Sequence, residues 1–193
     1  IGNETLSISD ISKIRSKVVW TLHDMWPFCG AEHYTETERY IDGYNKNNRP
    51  NDEKGFDINK YIWKKKINNY NKVDNIMCSS RWLFNCANRS FLFKNKKIKE
   101  IPLILNDSFW KPFNKENARN FFGYNNNDKI ILIGGSELIN NKRKGFNRLE
   151  NILNNSKNNN LKYIIFGDSN KNKVKYDNPN IILINASKCK SNK

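Results

Sequence analysis

The chain lacks the features that assign a protein to a class at sight. Its four cysteines form no CxxC pair and fit no zinc template, and they are too few for a disulfide scaffold. Reduced thiols in a cytoplasmic protein are the simplest interpretation. No apolar run approaches the roughly 20 residues of a membrane span, and residues 1–10 lack the hydrophobic core of a signal peptide.

Acidic residues are also scarce. The sequence has 34 Lys+Arg against 19 Asp+Glu, for a net charge of +15. Such a surplus fits a nucleic-acid binder, a protein at an anionic membrane surface or a binder of anionic substrates. Asn and Lys also fill low-complexity pieces such as residues 154–160. A bias toward A- and T-rich codons explains the surplus equally well, so charge alone selects no class.

Short apolar runs followed by glycine or polar residues are what the sequence does contain. They predict buried parallel strands at 16–22, 129–135, 161–167 and 180–184, and weaker or shorter strands at 74–79 and 97–101. Apolar residues at helical spacing predict helices at 56–70, 81–90 and 145–154. This order is typical of doubly wound α/β domains. A stretch with two prolines, residues 106–127, separates the two α/β parts and carries a short predicted helix at 116–122.

The first candidate site follows the strand at 16–22, where the apolar run reaches His23 and Asp24. Ligands of open α/β sheets bind at the carboxyl ends of the strands. His23 could hydrogen-bond a sugar hydroxyl or a phosphate, and Asp24 could orient it. The alternative is that both satisfy backbone groups of a turn. The long polar loop beyond carries His33 and Tyr34, and such loops often serve binding.

The second candidate site follows the strand at 129–135. Gly135 and Ser136 would let the backbone approach a ligand. A helix that begins near Gly145 would aim its amide groups at the same place, and Arg143 and Lys144 add positive charge. Diphosphate is the natural ligand of such a site, although neither a P-loop nor a GxGxxG pattern is present. An ordinary basic loop is an equal alternative.

A third pattern interleaves aromatic and basic residues. Residues 63–66 read Trp-Lys-Lys-Lys and lie between Tyr61 and Tyr70. Such a segment could follow a nucleic-acid backbone. An amphipathic helix with a solvated lysine face is the favoured interpretation.

Together these landmarks resemble one family, the family 4 (group 1) retaining glycosyltransferases. Residues 20–34 resemble a strand and loop of one branch of that family, and 80–83 resemble its Ser-x-Trp-Leu segment. Residues 101–112 resemble its interdomain stretch, and 118–119 and 143–146 resemble later landmarks. The resemblance runs in order over about residues 18–153.

The resemblance implies a GT-B fold, in which two Rossmann-like domains face each other across a cleft. Residues 1–105 would be part of the acceptor-side domain, 106–127 a linker, and 128–193 part of the nucleotide-sugar-binding domain. It implies a hexosyltransferase that needs neither metal nor cofactor and transfers sugar with retention from a nucleotide sugar to a polysaccharide or glycolipid acceptor. Many relatives have cysteines where this chain has residues such as Glu32 and Thr37, so no zinc is expected.

The resemblance also suggests residue roles. His23 would lie near the donor sugar and its phosphate, with Asp24 beside it, as the catalytic residues. Lys144 would neutralise the donor diphosphate, as a cation preorganised beside a departing anion does. The remaining donor-side candidates are Gly135, Ser136 and Arg143. The acceptor-side or structural candidates are His33, Tyr34, Ser80 and Arg81.

The expected partners are a nucleotide sugar and a glycan or lipid-linked acceptor, with peripheral contact to an anionic membrane at its inner face as a further option. No specific nucleic acid is expected. Landmarks that the family carries at both ends of this region, including its Glu-x7-Glu segment, are missing from the sequence. The chain is therefore expected to be an internal fragment that is inactive alone. The alternatives are a basic nucleic-acid-binding module and an inactive, truncated remnant of a transferase.

Overall fold

The computed structural model describes residues 6–135, 138, 141–155, 161–167 and 179–184. It divides the chain into two units, Ile1–Asp107 and Ser108–Lys193. Each unit contains a parallel sheet of three strands, joined in sequence order. The predicted α/β class is confirmed, and the two small sheets are compatible with halves of Rossmann-like domains.

The first unit has a sheet in the order β1-β2-β3. Its strands are β1 Val18–Leu22, β2 Val73–Cys78 and β3 Lys97–Glu100. Its helices are α1 Ile8–Ile11, α2 Arg39–Asp42, α3 Ile58–Asn69 and α4 Arg81–Arg89. Cys78 of β2 pairs with both Leu22 and Glu100. Those three residues therefore mark the carboxyl edge of the sheet, where side chains of the following loops collect.

Side-chain caps position the two long helices of this unit. Asp57 accepts a hydrogen bond from the Lys60 amide at 2.9 Å, which starts α3. Ser80 accepts one from the Leu83 amide at 3.3 Å, which starts α4 directly after β2. Leu83 and Ala87, one turn apart on α4, are buried against the sheet. The first turn of α4 is thus held at the carboxyl edge of β2.

Aromatic rings form much of the first core. Phe93 is fully buried, and its ring lies 6.5 Å from that of Trp20, 5.9 Å from Phe28 and 6.2 Å from Tyr70. The predicted burial of β1 holds only in part, because Val19 is 69% exposed. In the three-stranded sheet β1 is an edge strand, and the described helices leave that side chain uncovered.

The second unit has a sheet in the order β4-β5-β6. Its strands are β4 Lys129–Gly134, β5 Leu161–Phe166 and β6 Ile181–Ile184. Its helices are α5 Lys115–Phe122 and α6 Phe146–Asn155, and a 3-10 turn spans Lys142–Lys144. Phe146 and Leu153 of α6 pack with Tyr163 and Ile165 of β5 in a small buried cluster. One face of the sheet is therefore covered by α6.

Among the described residues, the other face of this sheet is only partly covered. Here the predicted burial of β4 is wrong, because Leu132 is 65% exposed. Ala118 and Phe122 of α5 stand over this face and leave a cavity of about 350 Å³ above Leu132 and Ile164. An apolar run predicts a strand, but its burial needs a layer on both faces, and α5 covers this one incompletely.

Helix α5 lies inside the stretch 106–127 that the sequence predicts as a linker. Asn114 caps its first turn through a 2.9 Å bond from the Asn117 amide. Arg119 donates to the Asp128 carbonyl at 2.7 Å, which ties the helix to the start of β4. None of the helices in the described ranges is long and apolar enough to cross a membrane.

Candidate functional site

Asp24 pairs with His33 at the carboxyl edge of β1. Its Oδ2 lies 2.6 Å from Nδ1 of His33, and its Oδ1 accepts a 3.0 Å bond from the Trp26 amide. His23 precedes it and is exposed. The sequence predicts that Asp24 orients His23, whereas in the structure it holds His33. The turn chemistry weighed as the alternative is also present, in the bond to Trp26.

A backbone bond closes the loop that brings His33 back to this edge. The Met25 amide donates to the His33 carbonyl at 3.0 Å. The side chain of His33 is 70% exposed and that of Asp24 is 27% exposed. Asp24 therefore anchors one ring nitrogen of an imidazole that is otherwise open to solvent.

Lys66 fixes the loop between the two partners. Its ammonium group is fully buried and donates to the carbonyls of Gly30 at 2.6 Å, Cys29 at 3.1 Å and Trp26. It also lies 3.8 Å from the centre of the Trp26 ring. Burial lowers the pKa of Lys66 to about 7, against the opposing charges of neighbouring acids that include Glu32. Lys66 thus supplies hydrogen-bond donors to three carbonyls of the loop after β1, which lie outside the strands.

The buried position of Lys66 corrects the interpretation of residues 63–66 as a lysine face in solvent. Trp63 is 7% exposed, whereas Lys64 and Lys65 are exposed as predicted. Trp63 is therefore part of the core and presents no ring for a base to stack on. The favoured amphipathic helix is therefore present, with Lys64 and Lys65 in solvent, but Trp63, Lys66 and Tyr70 of the pattern lie on its buried face.

Arg39 is the second buried cation of this unit. Its guanidinium group donates to Asp57 at 2.7 Å and to Glu53 at 3.3 Å, and it lies 4.6 Å from the Tyr44 ring centre. Burial acts to raise the pKa of Asp57, but the hydrogen bonds from Arg39 and from the Lys60 amide lower it. These contacts tie residues 39–57 into a fixed loop.

Cys29 and Tyr44 are buried beside this loop, and burial raises the pKa of both groups. Burial raises the pKa of the Cys29 thiol to about 12. Burial also raises the pKa of Tyr44, whose hydroxyl donates to Glu32 at 2.5 Å. In the described ranges no three His, Cys, Asp or Glu side chains are grouped so that they could hold a metal ion.

Tyr34 and Trp82 form an aromatic pair beside the Asp24–His33 pair. Their rings stack at 6.3 Å with an angle of 27° between the planes. Trp82 belongs to the first turn of α4 and is 54% exposed. Ser80 is the cap of that helix, and Arg81 forms an ion pair with Glu100. Ser80 therefore has a structural role, whereas Tyr34 contributes to an exposed surface.

In the second unit the structure brings Gly135 and Lys144 together. A Cβ added to Gly135 would lie 3.4 Å from the Lys144 ammonium nitrogen. One added to Gly167, which follows β5 with φ +94°, would lie 2.9 Å from the Gly135 carbonyl oxygen. Glycine is needed at 167 both for this backbone angle and for this close approach. Ser136 lies outside the described residues.

At this edge the groups suited to an anion are the side chains of Arg143 and Lys144, and the Gly135 amide is not one of them. The Gly135 amide donates to the Phe166 carbonyl at 3.2 Å, so it is committed to the protein. Arg143 is exposed and Lys144 half-buried on the 3-10 turn. Helix α6 begins just beyond Gly145, whose φ of +70° makes the corner. Two cations and a helix start therefore adjoin the glycine edge.

The two units thus present different chemistry at the carboxyl edges of their sheets. The first offers an anchored imidazole beside an exposed aromatic pair. The second offers a lysine against glycine backbone. Comparison of the chain with protein-family models, curated proteins and solved structures found no match.

Proposed function

We propose that this chain is part of a retaining glycosyltransferase that uses a nucleotide-sugar donor. Two units with parallel sheets, each with candidate ligand groups at its carboxyl edge, are compatible with the two halves of such an enzyme. The observation that carries the proposal is the position of the Lys144 ammonium group beside Gly135 at the end of β4, where a Cβ added to Gly135 would lie 3.4 Å from that nitrogen. The ordered resemblance over residues 18–153 supports it independently.

In the proposed reaction the bond between the sugar C1 and the donor diphosphate breaks, and a bond from C1 to an acceptor hydroxyl oxygen forms. The diphosphate leaves with the bonding electron pair, and the acceptor proton passes to a base or to the departing phosphate. Lys144, with Arg143 on the same turn, neutralises the charge that develops on the leaving group. No metal or cofactor is required by this scheme.

The first unit is proposed as the acceptor side, which takes a glycan or lipid-linked acceptor. His23 follows β1 at the carboxyl edge and is exposed, so it is available for a contact with the donor sugar or its phosphate. Asp24 is proposed to hold His33 and not to orient His23, because its carboxylate is already engaged by His33. The proposal accordingly assigns residues 1–105 to the acceptor side and residues 128–193 to the donor side.

Titration of the 193-residue protein with inorganic pyrophosphate, UDP and GDP tests the donor side. Lys144→Ala should weaken pyrophosphate binding at least tenfold, because a hydrogen bond to a charged group contributes about 1.5–3 kcal/mol. Lys129→Ala is the matched control. Lys129 is an exposed lysine at the start of β4, at the end of that strand opposite to Gly135. Its loss should leave the affinity for pyrophosphate within a factor of about two.

Equal losses in the two variants would mean that pyrophosphate responds only to net charge, and they would refute the assignment of Lys144. Binding of single-stranded DNA that is stronger than that of UDP, with a steep salt dependence, would favour the nucleic-acid alternative instead.

A further inference from the structure

We propose that Trp82, Tyr34 and the Asp24–His33 pair form a subsite for one uncharged pyranose ring of the acceptor. This inference rests on the proposed function, because it names the ligand class of the acceptor side. Its members are exposed or half-buried and come from the loop after β1 and from the first turn of α4, which meet at the carboxyl edge of the first sheet.

The aromatic part of the subsite is the ring of Trp82. Tyr34 stacks on one face of that ring, and 54% of the residue is still exposed. The contact with Tyr34 therefore leaves more than half of Trp82 open to a ligand. A flat apolar surface of this kind packs against the C–H face of a sugar ring, while the indole N–H offers a hydrogen bond at its rim.

The polar part is the imidazole of His33. Its Nδ1 is engaged by Asp24 Oδ2 at 2.6 Å. With Nδ1 engaged by the carboxylate, Nε2 is the ring nitrogen left to form a hydrogen bond with a ligand. The ring is 70% exposed, so a sugar hydroxyl can form that bond with Nε2. His33 directly precedes Tyr34 in the chain, so the imidazole and the aromatic pair belong to the same stretch of the loop after β1.

Both parts are held by buried anchors. Lys66 binds three carbonyls of the loop before His33. Trp82 stands in the first turn of α4, which the buried side chains of Leu83 and Ala87 fix to the sheet. Ligand sites gain affinity when few groups have to be ordered on binding.

The charges at this surface favour a neutral ligand over a nucleotide. The carboxylate of Asp24 lies within the subsite and would repel a phosphate. The neighbouring cation, Arg81, is already paired with Glu100. A polyhydroxylated ring without charge satisfies the aromatic face and Nε2 of His33 together.

The test uses the whole chain with 15N-labelled tryptophan and three probes: methyl α-D-glucopyranoside, methyl α-D-mannopyranoside and N-acetylglucosamine. We expect at least one probe to shift the Trp82 indole N–H signal in a saturable manner. Trp110, which is 67% exposed in the second unit, is the internal control and should not shift. The Trp82 variants lack the reporting indole, so binding of the same probe to every variant is measured by calorimetric titration. His33→Ala should weaken the binding several-fold, and Trp82→Ala should abolish it.

Trp82→Phe keeps part of the aromatic face, so it should retain weakened binding and show whether loss in Trp82→Ala reflects the ring or the fold. Pyrophosphate binding, measured in parallel, should be unchanged in all three variants. Equal shifts of Trp82 and Trp110, or no shift with any probe, would overturn the subsite and leave the donor proposal standing. Sugar binding at Trp82 with pyrophosphate binding independent of Lys144 would instead refute the transferase and leave a glycan-binding surface.

Discussion

Both units expose apolar side chains, Val19 and Phe56 in the first among them, but in the described ranges only the first unit buries cationic side chains in its core. Lys66 and Arg39 are 0% and 2% exposed. Leu132 and Phe121 of the second unit are 65% and 83% exposed. The usual association of polarity with the surface is thus reversed at these positions, and the cause differs between the units.

In the first unit the buried cations hold a long loop that has few strand or helix bonds of its own. Lys66 donates hydrogen bonds to carbonyls of the loop before His33. Arg39 donates to the carboxylates of Glu53 and Asp57. In the second unit the open face follows from an incomplete layer over the sheet. The long loop of the first unit therefore depends on a few polar anchors, and the second unit depends on a small apolar cluster.

Loss of Lys66 should have the largest effect on this comparison. Lys66→Met removes the donor from three buried carbonyls, and loss of one partner from a buried charged cluster costs about 3–5 kcal/mol. Urea unfolding should be followed by tryptophan fluorescence in a Trp110→Phe background. The other four of the five tryptophans then all report on the first unit.

Lys64→Met is the matched control, because Lys64 is exposed on the same helix. Its free energy of unfolding should stay within about 0.5 kcal/mol of the parent. Equal stabilities for the two methionine variants would show that the buried ammonium group is not an anchor.

The pH dependence of stability should also separate the two units. Burial lowers the pKa of Lys66 from 10.5 to about 7. Between pH 7 and pH 9 the unfolded chain therefore holds a proton that the folded one has released, so the free energy of unfolding rises with pH. The slope can reach about 1.4 kcal/mol per pH unit. The Cys29 thiol, with its pKa raised by burial from 9.0 to about 12, opposes this rise only above pH 9.

The measurement is urea unfolding at a series of pH values, for the parent and for Lys66→Met in the same background. The rise should vanish in the variant. The second unit, followed by amide hydrogen exchange of β5, should show no such rise. Burial acts to raise the pKa of its Asp128, but the bond from Lys162 lowers it, so this carboxyl is ionised throughout the window. A flat profile for the parent would mean that Lys66 keeps its proton against burial.

Much of the fold could be predicted from sequence because strands and helices have local signals. Apolar runs with turn residues at their ends located each described strand to within two residues. Burial was harder, since it depends on what lies above the run. The run at 129–135 resembles a covered strand in composition, yet α5 leaves Leu132 open.

The candidate sites were less predictable because they depend on contacts between distant parts of the chain. The spacing of Asp24 and His33 in the sequence does not reveal their pairing. The pairing requires a loop that is closed by the Met25–His33 backbone bond and held by Lys66. One signal was available for Lys66 itself. Trp63, Lys66 and Tyr70 follow a spacing of three and then four residues, which places them on one helix face. Two aromatic neighbours on that face indicate that the lysine points inward.

The smallest expected effect tests the open face directly. Leu132→Ala should change the stability of the second unit by only about 0.5 kcal/mol, because most of the side chain already meets solvent. Leu22→Ala is the matched change at a residue that is 0% exposed in the first unit, and it should cost about 2–5 kcal/mol. Amide hydrogen exchange of β5 and of β2 reports the two units separately. A cost for Leu132→Ala close to that for Leu22→Ala would mean that this face is covered in solution, and the contrast between the units would then lie only in their buried charges.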